Sequence, residues 1–377
     1  MMTSPLRVLF LIGGGGFGGL ERHVQCLIAN IDRSSVQPHL CVVLKAGEIS
    51  NAIAASGVPT HVIGASSGHS PIILKKMLYI LRENKIDLVH AHHLPFLAGV
   101  VLFFQPRIPL ICSIHCLEKI VKNKPWPIQL LEWCWQRIIE CRVNKWLPVS
   151  LATLVRQSRR IKYKGEVFFN PIQLSAEKKN KAWLSAEINA PVGVPLVGMV
   201  GRMADQKDWP AFLSICKGIA DVLDDVHFVA VGDGPKLSDF KKSPASVSLG
   251  RRLHWMGFRD DARQIIAALD VFLLTSKHEE LPTTLLEAMV GKTPIVGFLP
   301  IGGTEEVLKC AEGEEQIALL NKERNIEQVA GDVVNLLAKT EKGHSMAERA
   351  YKTIETNFEA HAACRRLVSI YRTVIHG

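Results

Sequence analysis

The chain opens twice in the same way: a short buried-strand run, a loop containing glycine, then a helix. The first opening is Arg7-Val8-Leu9-Phe10-Leu11-Ile12, followed by Gly13 to Gly19 and a helical pattern over Leu20–Ile31. The second is Pro195 to Arg202, with a helix from about Trp209. Further strands are predicted at Leu40–Leu44, Thr60–Ile63, Leu88–Ala91, Leu110–Ile114 and Glu166–Phe169. In the second half they fall at His227–Val231, Leu253–Met256, Val271–Thr275 and Pro294–Phe298. Apolar strands alternating with helices call for parallel sheets wound on both faces. The expected fold class is therefore α/β, with two Rossmann-like doubly wound domains facing a cleft. Their expected limits are 1–172 and 173–359, because a polar, Lys-rich stretch follows Asn170-Pro171.

A length of 377 residues suits two domains, and 47% hydrophobic content is enough to bury two cores. Nine cysteines without a CxxC pair favour free thiols in a reducing compartment over a disulfide framework. Met1–Ile12 lacks the pattern of a signal peptide, and the apolar run Leu94–Phe104 is too short to cross a bilayer. A cytoplasmic protein, soluble or peripheral on the inner face of a membrane, is expected. Charge is uneven: residues 1–190 hold 23 Lys+Arg against 11 Asp+Glu, or +12, and the remainder 22 against 25, or −3. One half thus suits an anionic ligand or surface. No nucleic-acid module is present, so nucleic acid is not an expected partner.

The richest stretch is His278 to Met289, which follows the strand Asp270–Ser276. Glu279 precedes a helix that begins near Pro282, and Glu287 lies on its second turn. Amides of Thr283, Thr284 and Leu285 at the helix start offer an anion site. Two carboxylates beside it can hold hydroxyls on either side of a bound phosphate. Solvated glutamates on an ordinary amphipathic helix are the plain alternative. Arg202 and Lys207 follow the first strand of the second half, a rigid donor fork and a mobile point charge suited to a pyrophosphate. Gly232 to Gly234 and Trp255 to Phe258 end two further strands at the edge where open sheets bind ligands.

The Gly13–Gly19 loop is too irregular for a dinucleotide fingerprint, and Leu40–Leu44 runs into Lys45 rather than an acid. His90, His92 and His93 raise the question of a metal. Alternation points His90 and His92 the same way, but no acidic or Cys partner sits nearby, so no metal is expected. An Asp-x-Asp triplet, a Gly-x-Ser-x-Gly elbow and a P-loop are all missing from the sequence.

The order and spacing of these landmarks, from Arg7 through Gly302-Gly303-Thr304-Glu305-Glu306-Val307, resemble retaining glycosyltransferases of family 4, which have the GT-B fold. The match departs at Glu280, where the family usually has Gly, and at Lys292. The resemblance implies sugar transfer from a UDP- or GDP-linked donor to an acceptor hydroxyl, with no cofactor and no metal. A lipid-linked or polysaccharide intermediate is the expected acceptor. It also implies that Arg202 and Lys207 meet the donor diphosphate, Glu279 the sugar hydroxyls and Glu287 the ribose. Backbone at Phe258 and Arg259 would hold the base, His115 the transferred sugar, and Gly16, Gly18 and Gly19 the acceptor side. The C-terminal helix, about 360–377, would return to the first domain. A sugar-nucleotide epimerase or phosphorylase of the same fold, or a non-catalytic binding protein, stays open.

Trp126, Trp133, Trp135 and Trp146 interleave with Lys119, Lys122, Lys124, Arg137, Arg142 and Lys145. Rings beside cations suit the headgroup level of an anionic membrane, or else a helix packed into the core. Both readings stand at this point.

Overall fold

A computed structural model of the chain describes residues 4–16, 18–92, 96–115, 126–157, 159–174, 180–311 and 316–376. It divides into two compact units, Met1–Pro171 with Ala360–Gly377, and Ile172–Glu359.

The first unit holds six parallel strands: β1 (Leu6–Ile12), β2 (Val36–Val42), β3 (Thr60–Val62), β4 (Leu88–His92), β5 (Leu110–Ile114) and β6 (Lys145–Pro148), in the order β3-β2-β1-β4-β5-β6. Val8, Phe10 and Ile12 point to one face, and Leu9 and Leu11 to the other; all are fully buried. That two-sided burial is why β1 reads as a continuous apolar run. The Ala360–His376 helix places Leu367, Ile370 and Tyr371 in the first of these cores.

The second unit repeats the plan with β7 (Leu196–Val200), β8 (His227–Val231), β9 (Leu253–Gly257), β10 (Val271–Leu274), β12 (Ile295–Phe298) and β14 (Leu319–Asn321), ordered β14-β12-β10-β7-β8-β9. Between them lies a small parallel pair, β11 (His278–Glu279) with β13 (Ile301–Gly302). In each sheet the order reverses beside the first strand, β1 or β7. The loops after those strands therefore emerge at the switch point, where doubly wound sheets bind ligands.

Some expectations need correction. Glu166–Phe169 is not a strand. The Glu166 and Phe168 amides donate to the Trp146 and Pro148 carbonyls (2.9 Å each), too few bonds for a ladder. The sixth strand is β6, whose apolar residues are hidden between Lys145 and Pro148. β2 starts four residues earlier than expected, its polar Gln37 and His39 having disguised it. The helix expected at about 360–377 is present as Ala360–His376, and a separate helix, Thr340–Asn357, precedes it. They break where the Ile172 amide donates to the Phe358 carbonyl (2.8 Å).

Candidate functional site

At the switch point of the second sheet, the loop after β7 is held by its neighbours' backbone. The Gly201 amide donates to the Val231 carbonyl (3.0 Å) and the Met203 amide to that of Asp233 (2.9 Å). Gly232 has φ +141°, and a Cβ there would overlap the Gly201 carbonyl. Only glycine lets β8 end this close to the loop. From below, the indole N–H of fully buried Trp209 donates to the Arg202 carbonyl (3.0 Å). The backbone of Arg202 is thus fixed while its side chain is exposed, and no carboxylate among the described residues pairs with it.

Lys207 closes a short 3-10 turn, Asp205–Lys207, and its stem lies across Gly201. Its carbonyl accepts the Thr275 hydroxyl (2.8 Å) at the end of β10. Its ammonium lies 2.5 Å from Glu279 Oε1, and the two side chains are only 17% and 11% exposed. Residues 72 apart in sequence thereby form one charged pair at the carboxyl edge. Glu279 is set by β13: Gly302 has φ +138°, and a Cβ there would overlap the Glu279 carbonyl. The Gly303 amide donates to that same carbonyl (3.0 Å).

Sequence reasoning missed Arg324. Its guanidinium bonds Asp208 Oδ2 (2.6 Å) and the carbonyls of Thr275 (2.8 Å) and Ser276 (3.0 Å). It also sits 4.3 Å from the centre of the Phe298 ring. This clamp joins the residue after Lys207 to the end of β10. Arg324 takes φ +57°, a left-handed backbone that costs a non-glycine residue about 1 kcal/mol. Its positive φ leaves no mark in a polar loop sequence, so nothing there singles it out. Arg324→Gly removes the clamp without a backbone penalty and is expected to lower turnover about tenfold, since small misplacements of reacting groups are costly. Unchanged turnover in that variant would show that the clamp does not position Lys207.

The helix after Glu279 spans Thr283–Gly291, with Pro282 at its N-cap. Leu285 is a correction to the expected anion site. Its amide already donates to the Pro282 carbonyl (3.2 Å), and its side chain is fully buried. The donors left at the helix start are those of Thr283 and Thr284. The buried Thr284 hydroxyl meets no hydrogen-bond partner among the described residues. Glu287 is 7% exposed and Glu279 9%, so these are not the solvated glutamates of an ordinary surface helix.

The two departures from the family pattern differ in backbone. Glu280 is not in the left-handed region, so its conformation does not call for glycine. Lys292 does take φ +54° at the helix C-terminus. Its ammonium lies 2.7 Å from both Glu348 carboxylate oxygens and 4.7 Å from the Tyr351 ring centre. Phe258, after β9, is half-exposed. The Arg259 guanidinium is held by Asp261 (2.8 and 2.9 Å) and Glu187 (2.7 Å), which raise its pKa; a ligand would meet its backbone, not its side chain.

In the first unit, Gly15 packs on the turn that starts the Glu48–Ala55 helix, its amide donating to the Lys45 carbonyl (3.0 Å). Gly13, Gly14 and Gly16 face open space: a methyl group added to any of them would meet nothing within 4 Å. Gly18 caps the Gly19–Asn30 helix, and a Cβ on it would strike the Glu21 carboxylate. His115 follows β5, and its Nε2 is 3.0 Å from His92 Nδ1. His90 and His92 do point the same way, with ring centres 4.2 Å apart. His93, Lys119, Lys122 and Lys124 lie outside the described residues, as does the Trp135 side chain. Trp146 is buried in β6, whereas Trp126 and Trp133 are 74% and 54% exposed on the Trp126–Arg142 helix. The two readings of the tryptophans therefore divide between residues.

Residues 17–174 match the model of glycosyltransferase family 4, and residues 181–353 that of the glycosyl transferases group 1. A 2-deoxystreptamine glucosyltransferase of Streptomyces kanamyceticus is 32% identical over 340 residues, covering 84% of this chain and 85% of the relative. A UDP-Gal:alpha-D-GlcNAc-diphosphoundecaprenol alpha-1,3-galactosyltransferase of Escherichia coli is 27% identical over 238 residues, covering 58% of this chain and 59% of the relative. The crystal structure of Anabaena HepE with UDP and glucose superposes with a TM-score of 0.78 at 18% identity, covering 98% of this chain and all of that one. The architecture is thus the two-domain GT-B fold. The chain belongs to the glycosyltransferases of the group 1 and family 4 type.

Proposed function

We propose that the protein is a retaining, metal-independent transferase that moves a sugar from a nucleotide diphosphate, UDP or GDP, to an acceptor hydroxyl. The observation that carries this reading is the buried Lys207–Glu279 pair at 2.5 Å, beside an exposed Arg202 on a pinned backbone. As the glycosidic bond breaks, negative charge grows on the departing phosphate and positive charge on the sugar ring. Arg202, Lys207 and the amides of Thr283 and Thr284 supply fixed positive potential for the phosphate. Glu279, held by β13, accepts from sugar hydroxyls and directs Lys207; Glu287 accepts from the ribose. The acceptor attacks from the leaving-group face, and a phosphate oxygen takes its proton. His115 contacts the transferred sugar, and the open space beside Gly16 leaves room for the acceptor near Gly18 and Gly19. Backbone at Phe258 and Arg259 holds the base.

The relatives are named for different acceptors: 2-deoxystreptamine in one, alpha-D-GlcNAc-diphosphoundecaprenol in another. An excess of +12 over residues 1–190 favours the anionic class. So do exposed Trp126 and Trp133, with Arg137 5.2 Å from the Trp133 ring centre, a pairing suited to a headgroup layer. No helix among the described residues is long and apolar enough to cross a membrane. Peripheral contact with the membrane that carries a lipid-linked acceptor fits these features.

The test is a matrix of UDP- and GDP-sugars against a polyprenyl-diphosphate glycan and an aminocyclitol, with product configuration read by NMR. Transfer to the lipid-linked glycan with retained anomeric configuration is expected. An inverted product would end the retaining mechanism, and turnover of the aminocyclitol alone would end the acceptor assignment.

A further inference from the structure

We propose that His23, His92 and His115 of the first unit form a binding site for a divalent transition-metal ion, with Zn2+ as the natural probe. The three come from different elements: the Gly19–Asn30 helix, the end of β4, and the residue after β5. Each can offer one ring nitrogen, and those nitrogens all lie within 4.8 Å of one another. Ring centres are 4.7 Å apart for His23–His115, 5.3 Å for His23–His92 and 5.2 Å for His92–His115, close to an equilateral triangle. Zn–N bonds of about 2.0–2.1 Å in a tetrahedron place donor nitrogens about 3.3 Å apart. His92 Nδ1 and His115 Nε2, at 3.0 Å, are already near that spacing.

A packed core of hydrogen-bonded imidazoles explains two of the three rings but not His23. That side chain is 3% exposed, and neither of its ring nitrogens meets a hydrogen-bond partner among the described residues. Buried polar groups are rarely left so, and an ion on the open side of the triangle would satisfy one nitrogen. His90 is not a ligand. Its nitrogens are engaged by the Tyr371 hydroxyl (2.7 Å) and the Ser113 hydroxyl (2.8 Å), which fix the ring beside His92 at a tilt of 34°.

The donor set decides the ion class. Three neutral imidazoles without a carboxylate suit zinc, cobalt, nickel or copper and not magnesium or calcium. Three protein nitrogens leave a fourth position for water or a ligand hydroxyl. His115 is only partly buried, and Ile12, which is paired with His92, leads into the loop where Gly13, Gly14 and Gly16 face open space. The fourth position therefore opens at the carboxyl edge of the first sheet. The site shares His115 with the proposed sugar contact, whereas the donor diphosphate in the second unit is still met by Arg202 and Lys207 without a metal.

The experiment strips the full chain with a chelator, then titrates Zn2+ calorimetrically against a competing chelator and records the visible spectrum with Co2+. One ion per chain and a tetrahedral cobalt spectrum are expected. His23→Asn and the more exposed His115→Ala should each weaken zinc by at least about 10–100-fold, the loss seen even for groups supporting a ligand. His227→Gln, in the separate stacked pair with His254, should change nothing. The His115 variant and thermal melting guard against misfolding of the buried His23 variant. Absence of saturable zinc binding, or binding unaltered in both ligand variants, overturns the proposal.

Discussion

Lys207→Ala is expected to lower turnover by about 10²–10³-fold, the usual loss when one fixed donor to a developing oxyanion is removed. The loop should survive the change. Its shape rests on backbone bonds, the Lys207 amide to the Ala204 carbonyl (3.1 Å) and the Thr275 hydroxyl to the Lys207 carbonyl (2.8 Å), neither of which involves the ammonium. Truncation leaves Glu279 without its cation, and loss of the lysine stem opens that carboxylate to water. A second variant, Lys207→Ala with Glu279→Gln, removes the orphaned charge. It should recover any melting temperature lost by the single variant but not its turnover. Near-normal turnover in Lys207→Ala, measured on folded protein, would remove Lys207 from the transfer step.

A comparably large loss, about 10²-fold in kcat, is expected for Gly302→Ala, although residue 302 presents no side chain to any ligand. A methyl group at φ +138° would collide with the Glu279 carbonyl, so β11 and β13 must separate. Displacing a positioned group by about 1 Å can cost 10²-fold in rate. Glu279 and, through the 2.5 Å contact, Lys207 would shift together. Because β11 and β13 are two residues each, their separation leaves both main sheets intact. The variant should therefore keep its far-ultraviolet circular dichroism while losing turnover. Wild-type rates in Gly302→Ala would mean that the geometry of Glu279 does not matter to transfer.

The strands are legible because a sheet covered on both faces writes itself as continuous apolar runs, as in Leu110–Ile114 and His227–Val231. β6 and β14 are not, since each is short and flanked by charge or polarity: Lys145 beside one, Asn321 and Lys322 beside the other. Within the site, Glu279, Glu287, Arg202 and Lys207 can be named from motif and placement. Their pairing cannot, because proximity of residues 72 apart is set by sheet order. Leu285 misleads for a local reason: the first helical turn bends its amide onto the Pro282 carbonyl. His23 escapes notice because it sits on a helix far in sequence from His92 and His115, and only the β1-β4-β5 neighbourhood brings them together.

Lys292 and Arg324 show how side chains can hold backbone conformations that favour glycine. Each sits in the left-handed region, and each is tied by its charge to an acid of another segment, Glu348 and Asp208 respectively.

On the proposed function, the carboxyl edge of β7 and β10, with the helix after Glu279, takes a nucleoside diphosphate. Calorimetric titration of UDP and of GDP into the wild-type chain and into Arg202→Ala and Glu287→Ala tests this most directly. One nucleotide should bind at one per chain, and each substitution should weaken it about tenfold or more, as expected for losing a charged hydrogen bond of about 1.5–3 kcal/mol. Heat from neither nucleotide, or equal affinity in all three proteins, would contradict it.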